Sequence, residues 1–219
     1  MSDRLDMAVV DAMHGALRRE LRHIADVTAR SDPDPRHVLR TSPGWELFKR
    51  ALRAHHSAED DALWPPLRRA LRGRPYDLTR LEAIEAEHAT LAALVTAIDD
   101  ALSCSAPVPA TGPDLFGVLT GSLVTGLAGH LGHEEDAVFP LVQVVLGEEQ
   151  WEHFGRTHAE RIGPHAALLL PWLLDGADER AATAVLARMP EPDRRAYRER
   201  WRPAYAELDR WSPRPAAPV

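Results

Sequence analysis

His55-His56-Ser57-Ala58-Glu59-Asp60-Asp61-Ala62-Leu63-Trp64-Pro65 has a near-copy later in the chain, His130-Leu131-Gly132-His133-Glu134-Glu135-Asp136-Ala137-Val138-Phe139-Pro140. From Glu59 to Pro65 and from Glu134 to Pro140 the residue types match almost position by position. An internal echo of this kind points to two equivalent helices of one site. On a helix, residues four apart lie about 40° apart around the axis and roughly one turn along it, so a histidine and a carboxylate at that spacing can face the same ion. His56 with Asp60, His55 with Glu59 and His130 with Glu134 have that spacing, and His130 with Glu135 is one residue longer.

Around these two stretches the chain reads as four long helices, with apolar residues at three- and four-residue spacing and no run of alternating strands. The first segment, Leu5 to Arg30, carries Val10, Met13, Leu17, Leu21 and Ile24 on one stripe with His14 beside it, and stops before Ser31-Asp32-Pro33-Asp34-Pro35. The second opens near Ser42-Pro43-Gly44 and runs toward Gly73, with a kink expected at Pro65-Pro66. The third, Asp77 to Ser103, presents Leu81, Ile84, His88, Leu91, Val95 and Ile98. The fourth, Pro113 to Leu146, turns Leu119, Leu123, Leu127, His130, Glu134, Val138 and Leu141 inward. Four antiparallel helices with short connections are the simplest closed packing, so the expected fold is all-α, an up-down-up-down four-helix bundle over residues 1–147. Shorter helical patterns at Glu148–Asp175, Asp178–Arg188 and Asp193–Arg210 form a C-terminal helical extension over 148–211, and 212–219 has the composition of a disordered tail.

Composition narrows the chemistry. The 219 residues carry a net charge of −7, which counts against a nucleic-acid or anionic-membrane partner. The apolar stretch Ala166 to Leu174 falls far short of the roughly 20 residues that span a bilayer, and no leader pattern opens the chain, so a cytoplasmic protein is expected. With Cys104 as the single cysteine, an ordinary thiol by its neighbours, any metal must be held by histidines and carboxylates. Burying such groups on apolar stripes is costly unless each has a partner, and a metal pair satisfies imidazoles and carboxylates together. His14 and His88 complete one histidine per helix. Trp64 and Phe139 read as packing, His133 as a surface or supporting group, and His153, His158 and His165 as scattered surface histidines or, alternatively, as the lining of an entrance.

His14, the run His55-His56-Ser57-Ala58-Glu59-Asp60, Glu87-His88 and His130-Leu131-Gly132-His133-Glu134-Glu135 together resemble the haemerythrin-like, or HHE cation-binding, domain over about the first two-thirds of the chain. The resemblance implies a non-haem di-iron centre, bridged by two carboxylates and an oxo or hydroxo group, that takes a small diatomic ligand or peroxide. Carried over, His14, His88 and His130 are metal ligands, and His56 with Asp60 supplies an imidazole and a bridging carboxylate. The alternative register is His55 with Glu59, favoured by overlaying the repeat. On the fourth helix simple geometry favours Glu134 and the resemblance favours Glu135. The departure from the oxygen-carrier pattern is Ile84, which stands where a second histidine of the third helix is expected. That leaves a coordination position open, filled by water, or taken by a neighbour such as Glu85.

Three functions follow as expectations. The first is a protein that binds or senses O₂ or NO, or responds to iron. The second is a di-iron oxidoreductase that activates O₂ or decomposes peroxide, its extension building a substrate pocket. The third is a metal-stabilised interaction module. No phosphate loop, dinucleotide fingerprint or nucleophile elbow points to an organic substrate.

Overall fold

The structure, a computed structural model, describes residues 5–103 and 114–212, so Cys104 and all of the expected tail except Ser212 lie outside the described residues. Among the described residues every regular element is helical. The first long segment is α1 (Ala8–Thr28). A short α2 (Pro35–Thr41) follows where the sequence suggested only a connection: the Asp34 side chain accepts the Arg36 N–H at 3.0 Å, and Pro35 sits in the first turn, where a missing N–H costs nothing. The second long segment is α3 (Pro43–Ala58) and α4 (Trp64–Ala70), the third is α5 (Pro75–Ser103), and the fourth is α6 (Leu115–His133) and α7 (Phe139–Val145).

The breaks inside the second and fourth segments have one cause. Glu59–Leu63 and Glu134–Val138 are single π-helical turns, in which the Trp64 N–H reaches back to the Glu59 carbonyl and the Phe139 N–H to the Glu134 carbonyl. Each turn lies just before a proline, Pro65 or Pro140. Proline has no N–H for the carbonyl four residues back and its ring crowds that carbonyl, so widening the preceding turn keeps the helix continuous. A third π turn, Tyr197–Trp201, precedes Pro203 in the same way. The expected kink at Pro65-Pro66 is thus displaced one turn upstream, onto the residues of the repeated motif.

Beyond Gly147 the chain forms α8 (Glu148–Ile162), α9 (Ala166–Leu174), α10 (Glu179–Ala187), α11 (Glu191–Ala196) and α12 (Arg202–Ala206). These helices share a core with the first part of the chain: Leu169, Leu170 and Trp172 are buried in one cluster with Met13, Leu17 and Leu127. A second apolar cluster holds Val10, Ala58, Leu63, Ile84 and Val138. On each long helix a histidine falls between the two clusters: His14 between Val10 and Leu17, His55 between Leu52 and Ala58, His88 between Ile84 and Leu91, and His130 between Leu127 and Val138. By length and composition alone the stretch Leu115–Val145 could cross a membrane. It also carries the buried His130 and Glu134, and α6 packs against α1 and α5, which is how a core helix reads.

The C-terminal segment is fastened to the start of α3. The Gly44 N–H donates to the Arg210 carbonyl at 2.8 Å, and a Cβ on Gly44 would stand 2.6 Å from that carbonyl oxygen and 2.6 Å from the Trp211 indole. Gly44→Ala is therefore expected to lower stability by about 1–3 kcal/mol, the usual cost of overpacking, read as a shift in the urea midpoint. An unshifted midpoint would show that the segment is not seated there.

Candidate metal centre

Five imidazoles and two carboxylates converge between the two apolar clusters. His14, His55, Glu59 and Glu134 each offer a ligand atom within 4.8 Å of the others, as do His56, His88 and His130, and all seven residues are buried. In the first group the His14 and His55 Nε2 atoms are 3.2 Å apart. In the second, His56 and His88 are stacked with ring centroids 3.9 Å apart and planes 8° apart, and His130 stands edge-on to both. The carboxylates link the groups. Glu59 directs Oε1 to His55 Nε2 at 3.5 Å and Oε2 to His88 Nε2 at 3.6 Å. Glu134 directs Oε2 to His14 Nε2 at 3.3 Å and Oε1 to His130 and His88 Nε2 at 3.3 and 3.7 Å.

A second layer holds the rings in place. The outer nitrogens of three histidines meet carboxylates: His14 Nδ1 to Glu135 at 2.7 Å, His88 Nδ1 to Asp60 at 2.9 Å and His130 Nδ1 to Glu87 at 3.0 Å. Such contacts fix the tautomer and leave Nε2 free to face inward. Glu135 is in turn gripped by both Nη atoms of Arg18, at 2.6 and 2.8 Å, and Glu87 also accepts from the exposed His133.

The structure thus differs from the preferred register. Asp60, with its side chain 47% exposed, and Glu135, 36% exposed, face outward, whereas the residues just before them, Glu59 and Glu134, are fully buried. Consecutive residues are turned by about 100° on a helix, so only one carboxylate of each pair can enter the interior, and the one four residues after His55 or His130 does so. Both His55 and His56 are inside. Glu85 is not: it pairs with Arg68 at the surface, and Ile84 belongs to the apolar cluster. His56 from α3 stacks on His88, so a second imidazole stands beside it although Ile84 cannot provide one. Sequence reasoning also missed Glu87 as a partner of His130, although it adjoins His88. His158 was missed as well. It is buried on α8 with its ring edge-on to His55 at 5.9 Å, and the local signal that marks it is its place on the stripe of Trp151, Phe154 and Ile162.

Electrostatics explain why this interior suits a cation. Burial drives the pKa values of His55 and His56 well down, holding both imidazoles neutral, and drives that of His158 down to about 4. Burial, reinforced by the neighbouring Glu134, raises Glu59 well above the usual carboxylate range. Burial acts the same way on Glu134, but the imidazoles of His130, His14 and His88, 3.3 to 3.7 Å from its oxygens, outweigh it and hold Glu134 ionised. His88 shows the converse balance: burial lowers its pKa, while Asp60 and Glu134 bring it up to about 9. Both oxygens of Glu59 and of Glu134, and Nε2 of His56, His88 and His130, are buried without a hydrogen-bond partner among the described residues. Buried polar atoms of this kind are normally satisfied, and a cation that takes the place of the His88 and Glu59 protons would satisfy all of them at once.

Glu135 offers a pH test on the metal-free chain. Burial raises its pKa, but hydrogen bonds from His14 and Arg18 bring it down to about 2 from an ordinary 4.5. A depressed carboxylate contributes its stability in full above its unfolded pKa and loses it as pH falls through the folded value. Glu135→Gln is therefore expected to be less stable than the parent at pH 7, the gap closing between about pH 4.5 and 2. Urea melts across that range check it, and a gap independent of pH would detach Glu135 from the His14–Arg18 pair.

A helical fold with a buried cluster of histidines and carboxylates, its acceptors pointing at a common centre, defines a cation-binding protein. The chain belongs to the haemerythrin family: the family model described as Hemerythrin HHE cation binding domain matches residues 6–142. That match takes in all seven inner residues and ends within α7, before the helix that carries His158. No curated protein and no solved structure matches the chain.

Proposed function

We propose that the long segments form an up-down-up-down four-helix bundle around a non-haem di-iron centre, and that the protein binds or senses O₂ or NO. The observation that carries this reading is the split of each carboxylate: Glu59 and Glu134 each turn one oxygen to the His14/His55 group and the other to the His56/His88/His130 group. That is the disposition two bridging carboxylates need. The alternation of the two apolar clusters along successive helices supports the bundle topology. His14 and His55 would hold one iron, His56, His88 and His130 the other, with Glu59 and Glu134 common to both. The preference for iron rests on the family, since such ligand sets accept several metals.

An iron pair bound there supplies a redox couple and a coordination position for a diatomic ligand or peroxide. The chain's own residues favour an approach from one side. The His14/His55 half has one imidazole fewer than the other, and a nook of about 10 Å³, lined by Val10, Met13, His55 and His158, adjoins it. That is room for about one water-sized molecule. Asp60, Glu87 and Glu135 orient the rings, and the apolar clusters on either side exclude bulk water. The oxidoreductase reading, in which the centre activates O₂ or decomposes peroxide, is favoured by a chamber of about 380 Å³ that shares Val9, Gly155, His158 and Arg188 with the nook.

The test is metal content of the protein purified in air, with ultraviolet and visible spectra before and after dithionite, azide and hydrogen peroxide. An iron pair per chain with oxo-bridge charge-transfer bands is expected. Spectral change without turnover supports binding or sensing, and sustained peroxide loss supports the oxidoreductase. Failure to retain any metal after anaerobic reconstitution overturns the di-iron reading.

A further inference from the structure

Between α8, α9 and α10 lies a chamber of about 380 Å³ walled by Val9, Ile162, Leu170, Leu173, Val185 and Trp201. Val9, Gly155, His158 and Arg188 line both this chamber and the nook against His55. The nook admits one water-sized molecule, whereas the chamber falls in the size range of pockets that hold whole organic ligands. A diatomic leaves most of that space unfilled.

Two polar groups line both spaces, the buried His158 and Arg188, whose side chain is 45% exposed. His158 is 5% exposed, and its Nε2 has no hydrogen-bond partner among the described residues. Arg188 lies against Gly155, one helical turn before His158: a Cβ on Gly155 would stand in ordinary contact, 3.7 Å from Arg188 Nη1. The Arg188 contact with Asp6, at 3.9 Å, is longer than a hydrogen bond. Asp193 is the other ionisable group on the lining. A guanidinium offers paired donors that match a carboxylate, and a buried nitrogen without a partner is costly until a ligand engages it.

We propose that this chamber binds a small apolar carboxylic acid, its carboxylate held by Arg188 and by His158 and its hydrocarbon body lying against the walls of α8, α9 and α10. The head group then rests one imidazole away from His55, and the narrow nook keeps the body of the acid away from the buried cluster. Apart from Val9, the site is built by residues outside the family match, and it needs no metal, so it stands or falls independently of the di-iron reading.

Titration calorimetry of the full chain with decanoate and with decanol, as purified and after chelation, tests it. Decanoate is expected to bind saturably at one site per chain, and decanol roughly 10-fold or more weaker, the usual worth of a charge-assisted hydrogen bond. Arg188→Gln is expected to weaken decanoate by a similar factor and leave decanol unchanged. Ala159→Trp, at an exposed position of the chamber wall where bulk spares the core, is expected to block both. Absence of saturable decanoate binding, equal affinity for the two probes, or binding that survives Ala159→Trp would overturn the proposal.

Discussion

On the proposed di-iron reading, Glu134→Gln is expected to strip the protein of bound metal. The side chain is fully buried and its two oxygens face different histidine groups, at 3.3 Å from His14 and 3.3 Å from His130. A neutral amide keeps the shape and removes the charge that two cations share, so the loss is felt on both sides of the cluster. Structural metal sites with four ligands are worth about 10–16 kcal/mol, so each ligand accounts for about 3 kcal/mol, or roughly a hundredfold in affinity, at each of the two positions. Asp60→Asn touches a carboxylate that acts only through His88, and replacing such an outer partner costs about 10- to 100-fold. Metal content and the metal-dependent rise in melting temperature should therefore rank parent above Asp60→Asn above Glu134→Gln. A Glu134→Gln protein that keeps its metal and spectrum would remove Glu134 from the ligand set. A greater loss in Asp60→Asn than in Glu59→Gln would restore the register with Asp60 inside.

The second large effect lies away from the metal. Glu20 is fully buried on α1. It accepts Arg210 Nη1 at 3.0 Å, Arg19 Nε at 3.2 Å and the Trp211 indole N–H at 2.9 Å, and Arg210 also reaches Asp175 at 3.0 Å. Through these contacts one carboxylate ties the last helices to the first. Removing one partner of a buried ion pair leaves the other charge without compensation, so Glu20→Ala is expected to cost about 3–5 kcal/mol. For a chain of this size that is a fall of roughly 6–20 °C in melting temperature. Arg210→Met in the Glu20→Ala background is expected to recover part of the loss, because the stranded charge is then gone. Metal content should stay at the parental level. Thermal melts of the single and double variants check this, and a Glu20→Ala protein that melts with the parent would show that the latch contributes nothing.

These two residues mark different degrees of legibility. The repeated motif and the spacing from His130 single out Glu134 and Glu135 as the candidate pair, leaving open which of them is inside. Glu20 was not marked out, because its partners are some 190 residues away in sequence: Arg210 and Trp211 become neighbours of α1 only when the C-terminal helices pack on it. The π turns fall in between. Their cause, a proline at the same offset after each motif, is printed in the sequence, yet the proline was read as a kink at its own position and not as a widened turn before it.

The sequence by itself determined that the chain is helical, that four helices each bring a histidine to one level, and that carboxylates accompany two of them, because periodicity and spacing are local properties of a helix. Tertiary structure alone decided the rest. Which of two adjacent carboxylates is inside is a rotation of about 100°, set by the faces that the two apolar clusters bury. His56 stands beside His88 because α3 and α5 stack their rings at 3.9 Å, a contact between residues 32 apart that no local pattern encodes. His158 joins the same neighbourhood because α8 lies against α3 and the first π turn, and burial there turned an ordinary surface-type histidine into a wall of both the nook and the chamber.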